Sequence, residues 1–404
     1  MIETIRITCN KDFLEFLHLI EDTTKKFFDS NSRSMTTMPS FHVELHTDLD
    51  FSEKMCKRIS SGFKYFRGLF DGRGHKISAT SEKATSLFSS LYFSKVRNLT
   101  LHNVRGSRGF IMADDILSSE LENIDVTGAI YVSESLGALF RTAQDVKFTK
   151  CSVNIITRAV TIAKPAEGSD AEKEDNLPPH FGGFVGVDLG NLVFDDCSVS
   201  GDLLSEVAVG GFCAVSRNTL FNQCNVDELT VSGTREVGLF VGRGSKEIDF
   251  KGCVINNSKV YSKHWAGYLV GKSDGSINVD NVVIDDCLIN PKGTLTFVGG
   301  IAGSAKSITV TNSNISGAIT GNIIIAGVCP DVETAEVHNN KFDLSITAVG
   351  YSPMMTHAYP LVRQDFLTSE GAEITFKESN NKSRIKVMEL ELEGMINPFE
   401  ESLL

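Results

Sequence analysis

Several features that define common protein classes are missing from this sequence. It has no run of about 18 or more apolar residues, no cluster of Lys and Arg, and no basic segment followed by an apolar one at its start. We therefore expect no membrane span. With a net charge of −12 and no basic stripe, the chain is not expected to bind nucleic acid. The missing signal peptide predicts synthesis as a cytoplasmic protein, with secretion by a non-classical route as the alternative.

Cofactor and metal signatures are absent as well. The nine cysteines form no Cys-x-x-Cys pair, and an odd number does not fit a framework of disulfides. No Gly-rich phosphate loop leads into Lys and Ser or Thr, and no G-x-S-x-G nucleophile elbow occurs. The sequence therefore predicts neither a cofactor nor a metal ion.

Glycine, by contrast, is abundant at 34 residues, and the 26 Phe residues far outnumber the 9 prolines. With many Val and Ile, this composition favours numerous short strands joined by tight turns. Eight six-residue phrases also align without a gap. They are VRNLTL, LENIDV, FTKCSV, FDDCSV, FNQCNV, FKGCVI, IDDCLI and VTNSNI, beginning at Val96, Leu121, Phe148, Phe194, Phe221, Phe250, Ile284 and Val310.

Positions one and six of these phrases are always apolar, and position four is Leu, Ile, Cys or Ser. Alternation along a strand places positions four and six on one inward face. Position one lies three residues before position four, so a corner must separate them. The phrases recur every 25 to 30 residues, roughly, and the apolar pattern does not continue with a helical period. We predict an all-β, right-handed parallel β-helix (solenoid) of about ten rungs.

A second phrase, in which glycines bracket two or three apolar residues, lies upstream in several repeats. Such glycines indicate tight corners with positive φ or a close approach of two backbones. The examples are LGALF, FGGFVG, VGGFCA, VGLFVG, AGYLVG and VGGIAG.

Five phrases carry Cys at position four. Because like residues stack on like in a parallel coil, with rungs about 4.8 Å apart, we expect these cysteines to form an internal ladder. Buried, reduced thiols are the main interpretation, and disulfides between rungs are the alternative. The five are Cys151, Cys197, Cys224, Cys253 and Cys287.

Three regions are predicted along the chain. Residues 1–52 form an N-terminal cap, with a helix over Asn10 to Asp29 that Asn10 caps and a strand over Phe41 to Phe51. Residues 53–350 form the coil, interrupted by an exposed loop at 163–180 that is rich in charge and proline. Residues 351–404 form a C-terminal cap of loop and strand, followed by a flexible tail.

The phrase FRGLFDGRGHKI, residues 66–77, resembles the F-x-G-x-F-D-G-x-G-x-x-I start signature of GLUG-type repeat proteins, which have the β-helix of the pectate-lyase-like superfamily. The preceding strand at residues 44–51 is similar too, and the resemblance covers roughly residues 8 to 330. It implies a coil, often in secreted or surface proteins, and does not imply a catalytic site.

Six residues are weak candidates for a catalytic role. Polygalacturonase-like hydrolases of this superfamily use clustered Asp residues, a Gly-His-Gly and an Arg-Ile-Lys. This chain has Arg-Ile-Lys at 384–386 and no Gly-His-Gly. Aspartate pairs occupy positions two and three of two phrases, so we expect solvated corner residues at different heights rather than a converging set. The candidates are Asp71, His75, Asp195, Asp196, Asp285 and Asp286.

Two candidates for binding stand apart from these. Trp265, the single tryptophan, lies at a rung boundary, where core packing and an exposed stacking surface are both open. Asn397, Pro398 and Phe399 resemble the NPF peptides bound by EH domains.

Together these features favour a non-catalytic interaction or structural protein that presents a rigid lateral face to a protein or glycan partner. The alternative is a polysaccharide hydrolase or lyase, which would need several carboxylates within about 5 to 10 Å of one another. A third idea is an intracellular scaffold whose tail recruits trafficking machinery. The oligomeric state and the partner's identity stay open.

Overall fold

A computed structural model describes ten segments of the chain. They are residues 4–29, 35–52, 63–79, 86–104, 112–132, 135–159, 180–291, 297–350, 357–362 and 375–391. Cys56, the tail residues 397–399 and all of the predicted loop at 163–180 except His180 lie outside them.

The described residues contain one helix, α1 (Asn10–Asp29), and a short 3-10 turn at Met35–Thr37. In chain order the strands are β1 (Thr4–Ile7), β2 (Phe41–Leu45), β3 (Leu49–Phe51), β4 (Tyr65–Asp71), β5 (Lys76–Ala79), β6 (Phe88–Val104), β7 (Ala113–Val132), β8 (Leu136–Gly137), β9 (Phe140–Thr149), β10 (Ser152–Ala159), β11 (Phe181–Gly182), β12 (Val185–Asp195), β13 (Ser198–Leu204), β14 (Val209–Gly210), β15 (Cys213–Asn222), β16 (Asn225–Ser232), β17 (Glu236–Gly238), β18 (Val241–Lys251), β19 (Val254–Asn256), β20 (Lys259–Ser262), β21 (Trp265–Gly267), β22 (Val270–Ser273), β23 (Ser276–Asp280), β24 (Val283–Pro291), β25 (Phe297–Gly299), β26 (Ala305–Thr311), β27 (Asn314–Gly321), β28 (Ile324–Ala326), β29 (Val332–His338), β30 (Lys341–Gly350), β31 (His357–Tyr359), β32 (Thr375–Ser379) and β33 (Lys382–Glu391).

These strands build a parallel β-solenoid of about nine turns, 69% strand and 8% helix. The fold class is thereby confirmed, with slightly fewer turns than the predicted ten. Each complete rung has three sides: a first side such as β15, a second side such as β16, and a short side such as β17. The short-side strands form their own eight-stranded sheet, in the order β31-β28-β25-β21-β17-β14-β11-β8. Beyond residue 350, β31, β32 and β33 continue the parallel ladders of β28, β29 and β30.

The corner predicted between positions one and four lies at position three. Residues there have positive φ, for example 53° at Asn98, 56° at Asn123 and 59° at Asn339. Asn tolerates this left-handed conformation because its short polar side chain can bond locally. The amides also bridge rungs, since Asn123 Nδ2 donates to Asn98 Oδ1 at 3.0 Å. The corner column therefore both turns the chain and joins successive rungs.

The register predicted for the phrase IDDCLI is wrong. Phe250 pairs with Val279, and Ile255 pairs with Ile284, so the equivalent phrase begins at Val279. Both phrases satisfy the apolar pattern, and only the pairing across rungs distinguishes them. Cys287 consequently lies in another column, opposite Gly317, and is not the fifth member of the cysteine ladder.

Two stacks of phenylalanine fill the middle of the coil. At position one, Phe148, Phe194 and Phe221 stack with ring centroids 4.6 and 5.2 Å apart. Phe184 and Phe212 form a parallel stack at 5.0 Å and meet the first stack edge to face. Rings on neighbouring rungs are about 4.8 Å apart, which lies within the range of about 4.5–7 Å that aromatic pairs favour for the distance between ring centroids. The position-one Phe residues thus act as a continuous column of the core.

Four cysteines form the ladder beside the phenylalanines, and all four are buried free thiols: Cys151, Cys197, Cys224 and Cys253. The Cys224 Sγ–H donates to the Phe194 carbonyl of the preceding rung at 3.4 Å, and Cys253 donates to that of Phe221 at 3.5 Å. Burial raises the pKa of Cys151 and of Cys224 well above the usual range. The main interpretation, reduced thiols filling an inward slot, agrees with this arrangement.

Labelling the folded protein with N-ethylmaleimide tests the thiol arrangement. We expect exposed Cys9 to react at least about 100-fold faster than the four ladder cysteines, because the latter react only after local opening. Peptide mapping by mass spectrometry before and after guanidinium treatment measures this. Fast labelling of Cys197 in the native protein, or a disulfide between ladder cysteines, would contradict the arrangement.

Helix α1 covers the first rungs of the coil. Its buried face packs on the N-terminal strands, with the Phe13 ring 5.3 Å from that of Phe51 and the Phe16 ring 6.5 Å from that of Phe70. The predicted helix bounds are confirmed. The predicted N-cap is wrong, because the Cys9 carbonyl accepts the first helical hydrogen bond and the Asn10 side chain donates to the Asp50 carbonyl.

Candidate functional site

The Asp71 carboxylate is committed to its own corner. It accepts hydrogen bonds from the Arg73 amide at 2.9 Å, from Asn98 Nδ2 at 3.2 Å and from Arg97 Nε at 2.9 Å. Burial would raise the pKa of Asp71, but these hydrogen bonds together lower it below the usual value. His75 bonds elsewhere, its Nδ1 lying 3.1 Å from Asp48 Oδ1. Asp71 and His75 therefore bond to different partners, although they belong to the same turn.

Replacing Asp71 with Ala should lower the free energy of unfolding by about 1–3 kcal/mol at pH 7, because three donors lose a shared, mostly buried acceptor. The folded pKa lies below the unfolded value of 3.8. The contribution is therefore present in full above that value and is lost as the pH falls through the folded pKa. Urea unfolding of both proteins at about pH 7 and about pH 2.5 should show the gap closing in acid.

Asp22→Ala, on the exposed face of α1, is a matched control and should change the unfolding free energy by less than about 0.5 kcal/mol. A gap between wild type and Asp71→Ala that stays the same at both pH values would contradict the role assigned to the ionised carboxylate.

The two aspartate pairs do not share a site. Asp195 accepts a hydrogen bond from Asn222 Nδ2 at 2.8 Å, and Asp196 is a corner residue with φ 54°. Asp195, Asn222, Lys251 and Asp280 occupy the same position on successive rungs. The next carboxylate in this column, that of Asp280, is therefore three rungs, or about 14 Å, from Asp195. Asp285 and Asp286 lie on the second side instead, where Asp285 pairs with Asn256. The predicted equivalence of the two pairs is wrong, because it followed the wrong register of IDDCLI.

An open groove of about 820 Å³ lies on the second side of the coil. One wall is a stacked corner formed by Glu228, Asn257 and Asp286, which have φ of 50°, 50° and 48°. The groove is also lined by one residue from each of four successive rungs, namely Thr230, Lys259, Leu288 and Ala318, together with Gly317 and buried Cys287.

The groove exists because three rungs carry one more residue at this corner. Between aligned pairs, β16 has an extra residue relative to β13, and β24 has an extra residue relative to β27. In the flanking rungs Gly201 and Gly317, with φ of 108° and 143°, take the place of the corner. The three rungs that carry Glu228, Asn257 and Asp286 are therefore longer by one residue at this corner than the rungs on either side.

The charged side chains of the groove are not used by the fold. In the described segments, Glu228, Lys259 and Asp286 have no hydrogen bond or ion pair, and all three are exposed. Asn257 Nδ2 donates to Asp227 Oδ1 at 3.4 Å. Burial raises the pKa of the Cys287 thiol beneath them to about 12, so it stays protonated. The groove thus offers two carboxylates, one ammonium group and one amide to a ligand.

Of these groups, only Asp286 is among the candidates predicted from the sequence. Three successive repeats that are longer than the others would have indicated the groove, and the wrong register of IDDCLI concealed this change in repeat length.

The Trp265 ring is half-buried on the short side. It stacks at 6.3 Å on Phe297 of the next rung, at an interplanar angle of 16°. The Lys272 ammonium lies 4.9 Å from the centre of the indole. Trp265 is therefore part of an aromatic stack at the outside of the coil. It is neither fully packed in the core nor a free surface.

No family model and no curated protein matches the chain. One solved structure with some likeness is that of a putative immunoglobulin A1 protease from Bacteroides ovatus, with 13% identity and a TM-score of 0.27. The match covers 96% of this chain and 84% of that one. At this identity and TM-score we carry nothing from that protein to this chain, and the resemblance to GLUG-type repeats stays a prediction.

Within the described segments, no helix combines the length and the apolar character of a membrane span. Nor do three or more His, Cys, Asp or Glu side chains of those segments come together as metal ligands.

Proposed function

We propose that this protein is a non-catalytic interaction module that binds a partner on its rigid lateral surface, in the groove of the second side. The observation that carries the proposal is the contrast between two kinds of charged residue. Carboxylates such as Asp71 and Asp195 join rungs, whereas Glu228, Lys259 and Asp286 surround an open groove without partners in the described segments. Unpaired charges around a concavity are available for recognition of a ligand.

The rigidity of the groove supports the same function. Its walls are residues of hydrogen-bonded parallel strands, in which Thr230 pairs with Lys259 and Lys259 pairs with Leu288. A preformed surface loses little conformational entropy when it binds a ligand.

Arrays of immobilised glycans and of charged peptides test the proposal directly. We expect the wild-type protein to bind members of one array, and Ala318→Trp to weaken that binding at least about 10-fold by filling the groove. Leu189→Trp, at an exposed site on the first side, is the matched control and should bind like wild type. Absence of binding on both arrays, or full binding by Ala318→Trp, would overturn the proposal.

One observation favours a polysaccharide hydrolase as the second candidate. Glu228 and Asp286 belong to rungs two steps apart, so their backbones are separated by about 10 Å. Inverting glycosidases place two carboxyl groups roughly 6.5–9.5 Å apart. Release of reducing ends from a polysaccharide, abolished by Glu228→Gln and by Asp286→Asn, would establish this activity in place of simple binding.

A further inference from the structure

The groove of the second side has the length of a short linear segment. One residue from each of four successive rungs lines it, from Thr230 at one end to Ala318 at the other. Neighbouring rungs are about 4.8 Å apart, so the groove extends for about 14 Å along the axis of the coil. An extended peptide advances about 3.3 Å per residue, and about four residues would therefore span this length.

The charges around the groove are predominantly negative. The strands of its rungs, β16, β19, β20, β24 and β27, carry four carboxylates and a single ammonium group, all of them exposed. The carboxylates are those of Asp227, Glu228, Asp285 and Asp286, and the ammonium group is that of Lys259. A surface with this balance attracts cationic ligands and repels anionic ones. Acidic glycans, phosphopeptides and nucleic acids are therefore poor ligands for the groove.

The order of the charges along the groove narrows the class of cation. Glu228 and Asp286 are two rungs apart, or about 10 Å between backbones, and Lys259 belongs to the rung between them. A compact cation between the two carboxylates would be repelled by Lys259. A ligand with two separated cationic groups and a neutral section between them meets a carboxylate at each end. Residues three apart in an extended peptide have the same separation of about 10 Å.

The middle of the groove offers the hydrogen bonds that a peptide backbone uses. The Asn257 amide donates to Asp227, while its Oδ1 atom receives no hydrogen bond from the described residues and can accept one from an N–H group. The Lys259 ammonium can donate to a carbonyl group. A peptide unit supplies both an N–H and a C=O group, so it complements this pair of side chains.

The apolar part of the groove also fits a peptide better than a sugar. None of the described residues that line it is aromatic. Aromatic side chains provide the wide apolar face against which a ring can stack, so a sugar here would depend on its hydroxyl groups alone. Leu288 and Ala318 lie on adjacent rungs and form a small aliphatic surface instead. An aliphatic side chain of a peptide can pack on this surface.

We propose that the partner of the groove is a basic polypeptide segment, bound in an extended conformation along the axis of the coil. Two basic side chains three residues apart pair with Glu228 and Asp286, and the backbone between them bonds to Asn257 and Lys259. This inference rests on the proposed function, because it names the class of partner that the same groove binds.

Calorimetric titration with short blocked peptides tests the class of partner. The probe is acetylated and amidated GRALRG, and GQALQG and GEALEG are its neutral and acidic counterparts. The compound 1,8-diaminooctane supplies two cationic groups at a similar separation without a peptide backbone. We expect GRALRG to bind at least about 10-fold more tightly than either counterpart and at least about 5-fold more tightly than the diamine.

Two variants remove the carboxylates one at a time. Asp286→Asn keeps the corner, since Asn tolerates its left-handed conformation, and should weaken binding of GRALRG about 3- to 10-fold. Glu228→Gln should have an effect of the same size and serves if Asp286→Asn does not fold. Glu247→Gln, on the exposed face of β18, removes the same charge from the first side and should bind like wild type. Thermal melts verify the folding of each variant.

Equal weakening by Glu247→Gln would indicate attraction to the overall charge of the chain and would overturn the proposal. So would unchanged affinity in a folded groove variant, or equal affinity for GRALRG and any of the three comparison ligands. If GRALRG does not bind, and Ala318→Trp weakens the binding of a glycan or an acidic peptide, the proposed function stands and this class of partner is wrong. Absence of binding on both arrays would remove the proposed function and this inference together.

Discussion

Replacing Phe194 with Ala is expected to lower the free energy of unfolding of the central rungs by about 3–5 kcal/mol. Phe194 is fully buried, and its ring lies between those of Phe148 and Phe221 at 4.6 and 5.2 Å. It also meets Phe184 and Phe212 edge to face. Removing the ring opens a cavity that neighbours held by parallel ladders cannot collapse to fill, so the cost should fall at the upper end for a core position.

Because each rung of a solenoid contacts only its neighbours, the loss should be local. Hydrogen exchange read by mass spectrometry should show faster exchange in β12 and β15 and little change in β29 and β30. Leu189→Ala, which removes a side chain that is 44% exposed, is the control and should leave exchange unchanged. Equal acceleration along the whole chain would contradict the local character of the coil.

The coil could be predicted from the sequence because its main determinants are local. The apolar residues at positions one and six recur in each repeat, and the left-handed corner between positions one and four is readable from residues such as Asn98 and Asn123. The pattern fails where a repeat offers two matching phrases. Val279 and Ile284 both satisfy position one, and the choice depends on pairing with Phe250 one rung away.

The candidate sites depend on contacts between rungs, and this explains why the sequence revealed so little of them. Asp71 and Asp195 looked like chemistry, but their partners on the next rung make them structural. Glu228 is not among the residues predicted from the sequence, because a single Glu between two strands is typical of a solvated turn. Its place in the groove results from the extra residue of β16 relative to β13.

Replacing Gly210 with Ala should lower the free energy of unfolding by about 4 kcal/mol or more. A Cβ atom there would lie 1.9 Å from the Cys213 carbonyl oxygen and 2.8 Å from the Gly242 amide nitrogen. Both obstacles are backbone atoms, so no rotamer change can relieve the clash. The glycine phrases therefore allow two backbones to approach closely at the short side. Positive φ is not required at Gly210.

Gly74→Ala separates the two roles of glycine. Gly74 has φ 81°, and a Cβ atom there would meet nothing within 4 Å, so only backbone strain of about 1–2 kcal/mol should result. Thermal melts and soluble yield of the two variants measure the difference. We expect Gly210→Ala to be poorly soluble or to melt far below Gly74→Ala, since Gly182 and Gly238 of the adjoining rungs must shift with it. Equal melting temperatures would mean that the short side can widen by one methyl group without loss of its ladder.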